Sequence, residues 1–480
     1  MWIYVLLAVL ALLLLTVAVV LIRTLSFKPK PESELSTEEV FPDTDRAVES
    51  LAEMIRCRTV SDRNSQNEDN REFLRFEEYL RSRYPRVHEK LTLERISDRA
   101  LLYKWSGKTD LAPTVLMSHY DVVSVEESGW TKPPFGGVVE DGYLFGRGTL
   151  DTKGSLMGIL EAAESLLGEG FVPESDVYFA FGGNEEINGD GAASIARLFL
   201  ERGITPALVL DEGGAVVEKV FPGVSGKCAM VGIAEKGMLN VEYSVTGGGG
   251  HASSPKPHTP VGILSAACVR VENKPFTFRI SEPARQLFDT LARHSSFFYR
   301  IIFANLWLFS PVLDLITRKS GGELNALVRT TTAFTQMEGS KGINVIPAKA
   351  RMTSNHRLMS GDTTDSVLAS IRKTVNDPRV EVRMIDGMNP SVISVTDSDG
   401  YEKVKNTIRE CWNDTLVSPY LLIACSDSRH WGAVTDKVFR FSPMYMTNEE
   451  RATIHGNDER ISIDGVSKLV EFYLRLIKKL

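Results

Sequence analysis

The sequence predicts an α/β protein: a mixed, mainly parallel sheet with helices on both faces, interrupted by an inserted α/β sandwich. Two observations predict the main layer. Short apolar runs bounded by glycine or polar residues are typical of buried parallel strands, and they lie at 114–117, 177–181 and 207–210. Segments with the apolar spacing of helices precede or separate these runs, at 47–55, 72–83, 155–167 and 192–201.

The pattern changes after about Glu235. The order becomes strand, helix, two strands, helix and strand, which is the split βαβ arrangement of a ferredoxin-like sandwich. After Pro390 the chain returns to helices and apolar strands. We therefore predict one domain inserted into another, with a membrane segment at 2–22, a linker at 23–45, the first part of the main domain at 46–235, the insertion at 236–388 and the second part at 389–480.

The N-terminal segment predicts a membrane helix. Residues 2–22 carry no charge and are long enough to span a bilayer. A cleaved signal peptide would have a basic start, a shorter apolar stretch and a clear small-residue cleavage site, so the pattern favours a single-pass anchor. Arg23, Lys28 and Lys30 follow the segment, and the positive-inside rule would place that flank in the cytoplasm. One short flank leaves the side of the membrane open.

A second apolar segment lies at 297–316. Arg300, Asn305, Pro311 and Asp314 interrupt it, so it is a poor spanning helix. A buried helix of the inserted domain is favoured over an apolar surface for lipid or an apolar substrate.

Composition excludes some classes. The chain has 480 residues, a net charge of −7 and no long basic run beyond the N-terminus, which argues against nucleic acid as a partner. The five cysteines are odd in number and widely spaced, which argues against a disulfide framework and a thiolate zinc site.

Metal-ligand residue types follow all three predicted strands. His119 and Asp121 follow the first, Glu185 and Glu186 the second, and Asp211 the third. Open α/β sheets bind ligands outside the carboxyl ends of their strands. The coincidence of three strand ends predicts a metal site at that edge of the sheet.

The spacing of these residues indicates their chemistry. Asp121 lies two residues from His119, so on extended backbone it can hold the imidazole in the tautomer that binds metal. Of the adjacent carboxylates Glu185 and Glu186, one can bind metal while the other faces water as a general base. Asp151 precedes a predicted helix, where a capping role is the alternative.

In order, His119-x-Asp121, the run GRGTLDTKG around Asp151, Asn184-Glu185-Glu186, Asp211 and His455 resemble metallopeptidase family 20. The resemblance covers about residue 45 to the end. Further motifs at 129–137 and 426–430 resemble the branch that contains Gly-X carboxypeptidase and the N-fatty-acyl-amino-acid synthase/hydrolase.

The resemblance implies two Zn²⁺ per subunit, which Co²⁺ or Mn²⁺ can replace. It implies that Asp151 bridges the two metals and that one metal is completed by His119 and Asp211 and the other by Glu186 and His455. It further implies that Glu185 is the general base and that Asp121 orients the His119 imidazole.

It also implies that the inserted domain is a lid and dimerisation domain. His251 would reach into the active site of the second subunit of a homodimer, and Asn344 and Arg357 would grip the substrate. The planar fork of an arginine matches a terminal carboxylate, with two parallel hydrogen bonds.

The expected function is a zinc hydrolase that cleaves an amide bond beside a free carboxylate, with an N-acyl amino acid as the substrate. The alternative is a dipeptide carboxypeptidase of the Gly-X type, and the third candidate is a non-catalytic metal-binding membrane protein. A GxSxG elbow does not occur, which argues against a serine hydrolase.

Overall fold

The computed structural model describes residues 1–36 and 38–480. The first part of the chain forms, in order, α1 (Trp2–Ser26), α2 (Thr44–Arg56), α3 (Asn70–Arg83), α4 (Pro85–Lys90), β1 (Thr92–Ser97), β2 (Ala100–Trp105), β3 (Thr114–His119), β4 (Val138–Glu140), β5 (Tyr143–Phe145), α5 (Lys153–Gly168), β6 (Val177–Gly182), α6 (Gly191–Glu201), β7 (Leu208–Glu218) and β8 (Lys227–Glu235).

The remaining chain forms β9 (Gly237–Thr246), β10 (Gly250–His251), α7 (Pro260–Glu272), α8 (Glu282–Arg293), α9 (Phe297–Ala304), α10 (Leu306–Ser320), α11 (Gly322–Ala326), β11 (Thr331–Glu338), β12 (Val345–Ile346), β13 (Lys349–Leu358), α12 (Thr364–Val375), β14 (Glu381–Met388), α13 (Asp399–Cys411), β15 (Leu416–Leu422), β16 (Val438–Tyr445), α14 (Asn448–Arg451), β17 (Arg460–Ser462) and α15 (Ile463–Ile477).

The main sheet has eight strands in the order β1-β2-β6-β3-β7-β16-β8-β15. Its centre is parallel, because β3 pairs in parallel with both β6 and β7, and β16 in parallel with β7. The register sets His119 beside Gly182, so that β3 and β6 end together at one edge. This edge is where the predicted metal ligands follow their strands.

Alternation along the strands divides their side chains between two cores. In β2, Leu101 and Tyr103 belong to a large core with α5 and α15, whereas Ala100 and Leu102 belong to a smaller core with α6. Both faces are therefore covered, which explains why the predicted strands read as continuous apolar runs.

A second sheet has the order β11-β13-β9-β14. It is antiparallel, and α7 and α12 close its own apolar core, to which Leu239, Leu264, Met352 and Ile371 contribute. The predicted order of strands and helices is thus present, but α8 to α11 interrupt it.

The stretch 236–388, predicted as one insertion, packs in two parts. Leu287, Phe288 and Leu291 of α8 and Phe303 of α9 belong to the core of the main sheet rather than to the core of the second sheet. Helices α8 to α11 thus attach by apolar contacts to the main layer, and the boundaries at 236 and 388 stay a prediction.

The segment 297–316 is not the buried helix that we predicted. It forms α9 and α10, which meet at a bend of 105°. Only part of it is buried: Phe298 is 68% exposed and Trp307 is 56% exposed. The sequence shows apolarity, and apolarity alone does not distinguish a core helix from an apolar surface.

Helix α1 is the one helix within the described residues that is long and apolar enough to cross a membrane by itself. Its C-terminal end packs against α9. The Asn305 side-chain amide donates to the carbonyl of Val20 at 3.3 Å and to Thr24 Oγ1 at 3.2 Å, and Arg23 Nε donates to the carbonyl of Ala304 at 3.1 Å.

Candidate active site

Two histidines and several carboxylates converge at the strand-end edge of the main sheet. Asp151, in the turn before α5, lies at the centre: its Oδ1 is 2.9 Å from His119 Nε2 and its Oδ2 is 3.0 Å from His455 Nε2. His455 Nε2 is also 3.2 Å from Glu186 Oε2. The two oxygens of one carboxylate thus face two different imidazoles, which is the arrangement a bridging ligand needs.

Asp121 contacts both the histidine and the turn that carries the two glutamates. Its carboxylate is fully buried and accepts hydrogen bonds from the backbone N–H groups of Glu185 and Glu186, both at 3.1 Å. Its backbone carbonyl lies 3.0 Å from His119 Nδ1, and its Oδ1 lies 3.4 Å from the same nitrogen. A single residue therefore orients the imidazole and fixes the turn that carries the two glutamates.

The glycines of that turn allow a close approach. A Cβ atom at Gly183 would lie 2.6 Å from the ring of Tyr120, too near for any larger residue. The tight turn brings Glu185 over the cluster, where its carboxylate, His119 and Glu212 form one of the groups that could hold a metal ion.

His455 reaches the site through a small sheet that the sequence did not predict. Strand β17 pairs with β5, which sets Arg460 opposite Phe145. This pairing brings Glu459, just before β17, against the loop that leads to Asp151. The buried Glu459 carboxylate accepts from the N–H groups of Gly148 and Leu150 at 3.0 and 2.9 Å.

The third strand carries two neighbouring carboxylates, the predicted Asp211 and the next residue, Glu212. Glu212 Oε1 lies 3.7 Å from His119 Nε2, whereas Asp211 belongs to neither group of candidate ligands formed by the described residues. Asp211 Oδ2 instead accepts from the backbone N–H of Ser428 at 2.8 Å. Strand β7 continues through both residues, so they point to opposite faces.

Asp211 thereby holds a buried polar network beside the cluster. The hydroxyl groups of Ser426 and Ser428 donate to Glu235, which also pairs with Arg440 at 2.6 Å, and both members of that ion pair are about 1% exposed. The network fixes the 3-10 helix Asp427–Ala433.

The carboxylates outnumber the cations around them. Burial, followed by the neighbouring Asp151, raises the pKa of Glu212 to about 8. Burial raises the pKa of Glu185 well above its usual range, and the carboxylates of Glu212, Asp427 and Asp151 add to the rise. Glu186 Oε1 is buried and, among the described residues, has no hydrogen-bond partner. Such a cluster is costly without added positive charge, so its residues fit a site for metal cations.

The predicted substrate residues lie on the second sheet and its small ribbon. His251 in β10 is opposite Val345 in β12, and the N–H of Ala252 donates to the Asn344 carbonyl at 3.0 Å. His251 and Asn344 are exposed and stand outside the ligand groups that the described residues form. Arg357, in β13, extends to the main layer, where its Nη1 lies 3.5 Å from Cys425 Sγ.

The fold and the cluster together define a metallohydrolase of the α/β class. The chain belongs to a known family of such enzymes, since the model of peptidase family M20/M25/M40 matches residues 115–479. This confirms the family predicted from the motifs and the predicted class of enzyme, a metallohydrolase that acts on amide bonds.

Two curated relatives span almost the whole chain. A probable carboxypeptidase S-like 2 of Dictyostelium discoideum is 39% identical over 95% of this chain and 90% of its own length. The N-fatty-acyl-amino acid synthase/hydrolase PM20D1 of Xenopus tropicalis is 37% identical over 97% of this chain and 93% of its own length. These relatives match the branch expected from the motifs.

Solved structures confirm the predicted fold class. The M20 family metallo-carboxypeptidase Sso-CP2 of Sulfolobus solfataricus has a TM-score of 0.66 at 17% identity, covering 90% of this chain and 98% of that one. A dinuclear metal-binding peptidase of the M20 family from Bacillus subtilis, YXEP, has a TM-score of 0.55 at 12% identity, covering 90% and 97%.

Proposed function

We propose that this chain is a two-zinc hydrolase that cleaves the amide bond of N-acyl amino acids. The observation that carries the proposal is Asp151, whose two carboxylate oxygens face His119 on one side and His455 on the other. A carboxylate placed between two imidazoles is suited to bridging two cations. The similarity to an N-fatty-acyl-amino acid synthase/hydrolase supports the proposed reaction.

We assign the ligands from the contacts. His119 and Glu212 would hold one zinc ion, Glu186 and His455 the other, and Asp151 both; Glu212 replaces Asp211 in the set expected from the sequence. Imidazole and carboxylate ligands suit zinc, and Co²⁺ or Mn²⁺ is expected to substitute. When bound, two such ions polarise the amide carbonyl and lower the pKa of water.

The protein's own groups then move the proton. Glu185 accepts a proton from the attacking water and delivers it to the amide nitrogen as the C–N bond breaks. The Glu185 carboxylate lies in one group with His119 and Glu212, and this proximity to the proposed ligands supports the role. Asp121 keeps the His119 imidazole and the Glu185 backbone in place.

We further propose that Arg357 binds the free carboxylate of the substrate. The residue extends from the second sheet towards the main layer, and its guanidinium can form two parallel hydrogen bonds to a carboxylate. His251 and Asn344 lie together on an exposed ribbon, which makes them available to the active site of a second subunit in a homodimer.

The second candidate is a dipeptide carboxypeptidase, which the carboxypeptidase S-like relative favours. Both candidates need the same metals and the same carboxylate grip, and they differ in the group on the acyl side. Hydrolysis rates for acetyl-, octanoyl- and lauroyl-amino acids and for Gly-X dipeptides distinguish them: rates that rise with chain length support the acylase, and a preference for dipeptides contradicts it.

The catalytic proposal is tested by Glu185→Gln in the full-length protein loaded with zinc. We expect two zinc ions per subunit, as in wild type, and a loss of turnover of about 100-fold or more, since general base catalysis contributes about 10²–10⁴. The exposed Glu174→Gln is the matched control. Near-normal turnover in Glu185→Gln would exclude Glu185 as the general base. Full turnover after the zinc is removed would exclude a role for zinc in the reaction.

We also propose that α1 remains attached as a membrane anchor. Its polar contacts with α9 give its C-terminal end a place in the fold that a cleaved signal sequence would not need: Thr24 is fully buried, and Asn305 donates to it. The N-terminus of protein isolated from membranes should therefore lie before residue 22, and a mature chain that begins after Thr24 would contradict the proposal.

A further inference from the structure

An apolar cavity of about 270 Å³ lies beside the metal cluster and is not used by the mechanism above. Its wall includes Gly213 and Ile454, which directly follow Glu212 and precede His455. From there it is lined by Phe221, Leu324, Leu327 and Met446, so its wall runs from the metal-binding edge of β7 to α11. The cavity thus borders the chain next to two of the proposed metal ligands.

The lining chemistry indicates the class of ligand. Most of the wall is aliphatic or aromatic, and its charged residues, Glu323 and Arg451, pair with each other at 3.2 Å and are about half exposed. Apolar cavities of this kind bind apolar molecules in preference to water. A ligand with a charge or several hydroxyl groups would lose its hydration there without gaining partners.

One wall of the cavity packs against the helices that carry the apolar surface of the molecule. Phe221 packs against Phe303 of α9, with ring centroids 4.7 Å apart. The outer side of α9 and α10 exposes Phe298 and Trp307, next to the end of α1. The cavity is thus backed by the helices that carry the exposed apolar surface, as suits a substrate that partitions into lipid.

We propose that this cavity holds the hydrocarbon chain of a medium or long acyl group, so that it sets the chain-length preference of the enzyme. The inference rests on the proposed amide hydrolase. Each methylene that enters the cavity should raise kcat/KM by about fourfold until the space is full. Beyond that length the gain per methylene should stop.

The test narrows the cavity without touching the metal cluster. Leu324→Trp adds bulk at a partly buried wall position, and Leu200→Trp makes the same change at an exposed site on α6. In full-length protein in lipid nanodiscs, we expect Leu324→Trp to lower kcat/KM for lauroyl-glycine at least tenfold and for acetyl-glycine less than twofold. Leu200→Trp should change neither. Equal losses on both substrates, or no loss on either, would overturn the proposal.

A second measurement is independent of catalysis. An N-acyl-glycine with a diazirine near the methyl end of its chain is photolysed with the metal-free and the zinc-loaded protein. Adducts in peptides that contain Leu324, Leu327 or Met446 support the cavity, and adducts confined to other segments overturn it. If these adducts form while wild-type protein hydrolyses no amide, the proposed function fails and the chain-binding cavity stands.

Discussion

The substitution Glu459→Gln tests whether the small sheet β17–β5 positions the metal-binding edge. Glu459 is fully buried, and Arg147, its ion-pair partner, is 3% exposed at a distance of 2.6 Å. One Glu459 oxygen accepts a hydrogen bond from Arg147, and the other accepts from the loop N–H groups of Gly148 and Leu150. Glutamine has the same shape but only one acceptor, so its amide nitrogen must face a donor.

The magnitude follows from these partners. Arg147 loses its buried counter-ion whichever way the neutral glutamine amide is turned, and the amide nitrogen also faces either Arg147 or the two loop N–H groups. Removing one member of a buried ion pair costs about 3–5 kcal/mol, and the loss of stability should lie in this range. The loop leads directly to Asp151, so zinc affinity should also fall, by about 10- to 100-fold, as is typical of residues that orient metal ligands.

Denaturant unfolding gives the change in stability, and competition with a chelating dye gives the zinc affinity, both on full-length protein in micelles. The matched control is Asp458→Asn. Asp458 is the neighbouring residue, has a positive φ that asparagine tolerates, and accepts from Thr131 at the surface. We expect this control to cost less than about 1 kcal/mol. If both variants behave alike, Glu459 does not position the site.

Three further predictions concern single residues. Glu212→Gln should lower the zinc content by about one ion per subunit while Asp211→Asn keeps both ions, and elemental analysis showing the reverse would restore Asp211 as the ligand. Burial lowers the pKa of His356 to about 4 from its ordinary 6.5, so protonation favours the unfolded state: stability should be full above pH 6.5 and fall by up to about 3 kcal/mol as the pH drops to 4. Urea unfolding at pH 7.5 and 4.5 should show a smaller acid loss in His356→Gln than in wild type, and equal losses would contradict this. Arg357→Lys should lower kcat/KM for N-acyl amino acids by about 10- to 100-fold, since one hydrogen bond to a charged group contributes about 1.5–3 kcal/mol, and should leave carboxamide analogues unchanged.

Elements near the centre of the sheet were predictable because two signals agree there. The run at 114–117 became β3, Thr114–His119, and the run at 177–181 became β6, Val177–Gly182. Each run is apolar because both faces of the sheet are covered, and each ends in polar residues because the chain leaves the core at that point. The proposed ligands His119 and Glu186 were predicted by the same reasoning, since each lies at or just after the end of a buried apolar strand.

Residues brought in by distant pairing were not predictable. His455 enters because β17 pairs with β5 across more than 300 positions of sequence, and three-residue strands carry too little periodicity to reveal such a pairing. The different contacts of Asp211 and Glu212 were not predictable for another reason. The apolar run ends at 210, whereas the strand continues to Glu218, and the face of each residue depends on that continuation.

The link between the two sheets bears on how far the free carboxylate of a substrate must lie from the amide bond that is cleaved. The chain passes from β8 to β9 through one residue, Lys236, which is 1% exposed and donates to the carbonyls of Ala326 and Arg329, both at 2.8 Å. Burial, followed by the charge of Arg357, lowers the pKa of Lys236 to about 7. These buried hydrogen bonds hold the start of β9 against the main layer. The backbone therefore sets the position of Arg357 relative to the proposed metal ligands. On the proposed assignment, the metal site binds the amide group of the substrate and Arg357 binds its free carboxylate. Their fixed separation then selects substrates in which the two groups belong to one amino acid, while the cavity beyond Gly213 leaves the acyl side free to vary in length.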